Sequence, residues 1–186
     1  MHPDAQQPPA WIIDMHTGSA TSNIAKLAAA SYRTAYSEFG NALNIIYANS
    51  NGEKETFDVV SKELSDSADI FKKMGKELQI VIPRKGAYER FSLSEDIVRY
   101  LVLSLVRPGK KMTFDSFLQV LYDHYGIVIG AVQYAQLKEN VEPGMSGYFD
   151  ENQIQFQMFL KNCGLLRDLS DATSIVENPY AEVKFE

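Results

Sequence analysis

Apolar residues recur along the chain in two different periods, and the elements change where the period changes. From Ile24 to about Ala48 the larger apolar positions Tyr32, Tyr36, Phe39, Leu43 and Ile46 fall 4, 3, 4 and 3 apart, which makes one seam down a helix. Thr17 to Asn23 offers several N-cap residues ahead of it. Gly40 interrupts the seam at a helix cost of about 1 kcal/mol relative to alanine, and so marks a place for a bend or a close packing contact. After a turn at Asn49 to Glu53, a second helix over about 55–78 sets Phe57, Val60, Leu64, Ser67, Phe71, Met74 and Leu78 at alternating spacings of 3 and 4. Two such stripes across a short polar turn predict an antiparallel helical hairpin. Its seams either close on each other and on the rest of the chain, or leave an apolar face for another subunit or a second copy. Tyr32, Tyr36, Phe57, Leu64 and Phe71 are then the interface residues.

The pattern shifts near Pro83. Tyr88 to Leu93 alternates like an edge strand, and Ser94 caps a helix from Glu95 to Val106 whose first turn holds Glu95 and Asp96. Ile97, Val98, Leu101 and Leu105 form its inward stripe, and Pro108–Gly109 ends it. Thr113 caps the next helix, where Phe114, Phe117, Leu118, Leu121, Tyr122 and Tyr125 make a wide apolar face closed by Gly126. A connection of about twenty residues follows from Ile127, with one added helical turn at Val132 to Lys138 and with Pro143–Gly144 and Ser146–Gly147 inside it. That length points to a functional insertion. The last helix is expected from Asp150 to Asn162, with Ile154, Met158, Phe159 and Cys163 inward and Asn152, Gln153, Gln155, Gln157 and Lys161 outward. Gly164 ends it. Two strands then run from Leu165 to Leu169 and from Ala172 to Val176 about a Ser170–Asp171 turn, and Asn178–Pro179 stops the second.

The fold class these elements predict is mainly α. Residues 1–16 are expected to be a flexible, linker-like start, 17–82 the helical hairpin, and 83–186 a second domain. Met1 to Ala10, with three prolines, reads as a linker or tag remnant, while Trp11 to Met15 is an apolar patch expected to dock on the body. In its order of helix, helix, helix and two-stranded hairpin, about 88–180 resembles a winged-helix domain, without a family-specific motif. The resemblance implies a reading helix at Asp150 to Asn162 and a wing tip at Arg167 to Ala172. Asn152, Gln153 and Gln157 can each pair two-pronged with adenine, and Lys161 sits on the same helix.

Charge complicates that implication. The chain of 186 residues has a net charge of −6, but residues 72–111 hold ten of its eighteen basic groups against four acids. From Glu139 to Glu186 nine acids face three bases, whereas duplex affinity comes mostly from phosphate neutralisation. A polyanion would therefore favour Arg84, Lys85, Arg90, Arg107, Lys110 and Lys111, unless these cations serve the chain's own acids.

No catalytic constellation emerges. His2, His16 and His124 are scattered, no Gly-x-Ser-x-Gly occurs, and Asp14 beside His16 reads as a local hydrogen bond. A helix start at Gly18 to Thr21 lacks the lysine of a phosphate loop, so capping explains it. One cysteine, Cys163, precludes an internal disulfide and a thiolate metal cluster, and reads as a buried small hydrophobe. No apolar stretch approaches the roughly 18 residues of a membrane span, so a soluble cytoplasmic protein is expected, without cofactor or metal. The function expected is a non-catalytic protein-interaction or scaffold subunit, binding a protein partner or itself. The alternative is a DNA-binding factor of transcription, genome maintenance or defence, using 84–111.

Overall fold

In a computed structural model, residues 10–16, 22–50, 69–137, 144–170 and 173–180 are described. Helix α1 (Asn23–Ser50) opens with Ser22 Oγ accepting the Ala25 N–H at 3.1 Å. Ile24, Ala25, Ala28 and Tyr32 bury its first turns, and from Arg33 to Leu43 the helix is half-buried or exposed. Among the described residues nothing lies within 4 Å of where a Cβ at Gly40 would stand. Helix α2, described over 69–77, meets α1 through Phe71, whose ring lies 6.2 Å from Tyr32, 6.4 Å from Tyr36 and 5.4 Å from Phe39 between centroids. Phe57, Val60, Leu64, Ser67 and the turn at 51–53 lie outside the described residues.

Met74 and Leu78 depart from the expected seam. They are 58% and 48% exposed, because the inward line of α2 passes through Gly75, where an added Cβ would come within 2.6 Å of Val81 Cγ2. Gln79, at φ 56°, then turns the chain into strand β2 (Val81–Ile82), antiparallel to β3 (Arg90–Phe91) with Val81 opposite Phe91. The strand expected over Tyr88 to Leu93 is thus two residues long, and 83–89 form its loop.

This small ribbon straddles the expected boundary at Pro83. A single apolar cluster takes Tyr32 and Val81 from before it and Phe117, Phe156 and Val176 from after it. The cluster also takes Ile13 and Met15 from the expected linker-like start. There β1 (Trp11–Ile12) runs parallel to β5 (Ile127–Val128), and the Trp11 ring stacks on Phe91 at 4.7 Å. Residues 11–16 are therefore structural, and the core does not divide at 83.

The caps act as their residues dictate. Ser94 Oγ accepts from Ile97 N at the start of α3 (Glu95–Leu105), Thr113 Oγ1 accepts from Ser116 N at the start of α4 (Phe114–Tyr125), and Gly126 closes α4 at φ 67°. Between them lies β4 (Lys111–Thr113), a strand the apolar pattern does not announce. The helical turn expected over Val132 to Lys138 is α5 (Ala131–Leu137), which follows β5, and the expected twenty-residue connection is shorter because α6 (Met145–Asn162) begins five residues before Asp150. Gly164, at φ 71°, ends α6, and β6 (Leu166–Ser170) and β7 (Thr173–Glu177) follow. β4, β7 and β6 form one antiparallel sheet in that order, with Lys111 opposite Glu177 and Leu166 opposite Val176. The protein is mainly α-helical, with short strands that tie distant segments together.

Candidate interaction surfaces

The register of α6 decides which of its side chains meet solvent. Phe149, Asn152, Phe156, Leu160 and Cys163, spaced 3, 4, 4 and 3, are its inward row, each at 8% exposure or less. Ile154 and Met158, expected inward, are 53% and 51% exposed. Starting the helix at Met145 brings Phe149 into the row and turns Ile154 out. Four residues apart, Ile154 and Met158 share an outward side with exposed Glu151 and Gln155, while Tyr148 stands 39% exposed one turn earlier.

Of the residues expected to read bases, Asn152, Gln157 and Lys161 have their polar heads bonded within the protein. Asn152 is fully buried. Its Oδ1 accepts the Met15 N–H at 2.8 Å, and its Nδ2 donates to the Ile13 and Ile129 carbonyls at 2.9 and 3.0 Å. The side chain thus fastens the N-terminal segment to α6 and to the exit of β5. Gln153 is half-buried against Gly130, where a Cβ would fall 2.5 Å from its Oε1. Gln157 Nε2 donates to Ser174 Oγ at 2.8 Å, Ser174 Oγ donates to Asp168 Oδ1 at 2.7 Å, and Lys161 Nζ meets Asp168 Oδ2 at 2.7 Å. These bonds hold the Asp168 carboxyl below the usual range, Lys161 contributing most. They line a groove of about 450 Å³ between α6 and the β6–β7 ribbon, with Leu169 and Ser170 at its edge. A helical row of Phe149, Asn152, Phe156 and Leu160 was the available sequence signal, hidden by the amide within it.

The basic positions separate into spent and free cations. Arg90 is 8% exposed, and its Nε donates to Asp14 Oδ2 at 2.7 Å, so it is part of the core and not of a polyanion surface. Asp14, itself fully buried, also accepts the His16 N–H at 2.9 Å. That is the local hydrogen bond expected there. Arg84 pairs with Glu77 at 3.0 Å and Arg99 with Glu95 at 2.7 Å. Among the described residues, Lys73, Lys85, Arg107, Lys110 and Lys111 are exposed and have no ion pair.

Lys72 and Lys76 converge on Glu89 Oε1 at 3.0 and 2.9 Å, and the Lys76 hydrogen bond above all holds that carboxyl at about 2. Its contribution to stability is complete above the ordinary carboxylate range and is lost as pH falls toward the depressed value. Lys76→Met should therefore flatten the fall in urea midpoint between about pH 5 and pH 2 relative to the parent chain.

The expected hairpin interface is partly consumed. Tyr32 is 5% exposed, with burial the main cause of a hydroxyl pKa pushed up to about 12, and Phe71 is packed among three α1 rings. Tyr36 is half-buried and donates to Asp69 Oδ1 at 3.3 Å. Phe57 and Leu64 lie outside the described residues. Cys163 is buried, and that burial raises its thiol pKa, which keeps it unreactive. Among the described residues no group of three or more His, Cys, Asp or Glu is placed to hold a metal, and no helix is long and apolar enough to cross a membrane. Comparison of the chain with protein-family models, with curated proteins and with solved structures finds no match.

Proposed function

We propose that the chain is a non-catalytic protein-interaction or scaffold subunit of a larger assembly, built on a winged-helix domain, with its partner on the outward side of α6. The order α3, β4, α4, β5, α5, α6, β6, β7 and the sheet order β4-β7-β6 support the winged-helix reading. One observation carries the choice of partner: the side of α6 left to solvent offers half-exposed Ile154 and Met158 beside Glu151, and its only lysine is paired to Asp168. Apolar anchors with an acidic rim suit a protein surface, whereas a phosphate backbone needs free cations.

Co-purification from the source cell, with and without nuclease, tests this. A partner should survive nuclease and be lost from Ile154→Glu, because a central apolar anchor is worth about 2 kcal/mol, or roughly thirtyfold in affinity. Retention by that variant refutes the surface.

A second reading rests on Lys85, Arg107, Lys110 and Lys111, the free members of the 84–111 segment. If these four bind duplex DNA, log K should fall against log salt with a slope of about −4. A labelled duplex that fails to bind even at low salt ends it.

A further inference from the structure

The loop 83–89 between β2 and β3 carries Tyr88 at 79% exposure, the largest among the exposed large apolar side chains of the described residues. Tyr88 also sits at φ 68°, a left-handed conformation that opposes a Cβ and suits glycine or asparagine. Two residues earlier the same loop uses Gly86 for its other left-handed turn, at φ 101°. A large aromatic is therefore held in an unfavourable backbone state with its ring in water, a combination that folding alone does not reward.

Its base is rigid. Phe91 is fully buried, Arg90 is locked to Asp14, and Glu89 is pinned by Lys72 and Lys76. The charge at the loop is positive: Lys72, Lys76, Arg84 and Lys85 outnumber Glu77 and Glu89 by two, and exposed Lys85 has no ion pair among the described residues.

We infer that the β2–β3 loop is a contact site for single-stranded nucleic acid, one unpaired base stacking on Tyr88 while Lys85 meets a flanking phosphate. A flat ring in solvent with cations beside it is the arrangement that holds unpaired strands without regard to sequence. A duplex hides its base faces in the stack, so the ring has nothing there to cover. A membrane surface fits less well, because Tyr88 and Pro83 are the only sizeable apolar groups of the loop and interfacial binding scales with buried apolar area. The site shares no residue with the α6 surface, so either can fail alone.

Fluorescence anisotropy with a labelled mixed-sequence 12-nucleotide strand, the matching duplex, and vesicles of mixed neutral and anionic phospholipid tests the inference on the full chain. The single strand should bind more tightly than the duplex. Tyr88→Asn should weaken it about tenfold, Tyr88→Phe should stay within twofold, and Lys85→Glu should weaken binding and flatten its salt dependence. Asparagine accepts the left-handed conformation, so Tyr88→Asn should melt no lower than the parent, and a loss of binding is then not a loss of fold. Absence of strand binding, equal binding by Tyr88→Asn, preference for the duplex, or binding to vesicles alone would each overturn the inference.

Discussion

Asp14→Ala should lower the free energy of unfolding by about 3–5 kcal/mol, the usual cost of leaving a buried charge without its partner. The Asp14 carboxylate is fully buried, and the Arg90 side chain that meets it at 2.7 Å is 9% exposed, so water cannot replace what the substitution removes. The same carboxylate accepts the His16 N–H, and the backbone on either side is bonded to the body through Ile13 N to Val128 O and Asp14 N to Phe91 O, both at 3.0 Å. Losing the carboxylate should therefore free the whole run from Trp11 to His16, with Trp11 fluorescence moving toward that of exposed indole before global unfolding. Arg90→Met in the same chain should recover much of the loss, since an apolar side chain of similar length needs no counter-charge. Urea denaturation of the two single variants and the double variant gives the coupling directly. A cost below about 1 kcal/mol for Asp14→Ala would place the pair in the class of solvated surface bridges and remove the anchor assigned to it.

That pair also shows where sequence reasoning stops. Caps are local: Ser94, Thr113, Gly126 and Gly164 act on groups within five residues, and each was legible from its neighbours. The β6–β7 ribbon was legible for the same reason, as its strands are adjacent in the chain. Strands β1, β4 and β5, two or three residues each, were not, because no alternation fits in so few positions and their partners lie far away, Trp11 with Ile127 and Lys111 with Glu177. Charge gave the sign of 84–111 but not that Arg90 was already taken by a carboxylate 76 residues away. The face of α6 was misread because it was counted from Asp150, and because a polar Asn152 in an apolar row looks exposed until its three backbone partners are known. Tyr88 looked like one position of an alternating strand. Only its backbone angle and exposure single it out.

The second large effect belongs to Asn152, where the base-reading and structural roles predict opposite results. As a reader it would be dispensable to the fold, and Asn152→Ala would change only nucleic-acid affinity. As a buried clamp its loss strands the Met15 N–H and the Ile13 and Ile129 carbonyls at once, each at about 1–3 kcal/mol when water does not enter, so Asn152→Ala should cost about 3–5 kcal/mol after relaxation. Asn152→Asp sharpens the test because it keeps the size and the acceptor for Met15 but sets a second oxygen against two carbonyls. Burial and those carbonyls disfavour the charged form, so the introduced carboxyl should titrate above the ordinary carboxylate range. The sign of the pH dependence follows. The variant is penalised at neutral pH, and its deficit relative to the parent should shrink as pH falls through the raised value, because the protonated acid can donate one of the two lost hydrogen bonds. Parent and both variants compared by urea denaturation at pH 7 and about pH 5 decide the matter. Equal stability of all three at pH 7 would return Asn152 to the surface and with it the amide-rich reading face. A large loss for Asn152→Ala, with partial recovery of Asn152→Asp in acid, leaves Ile154 and Met158 as what α6 offers a partner.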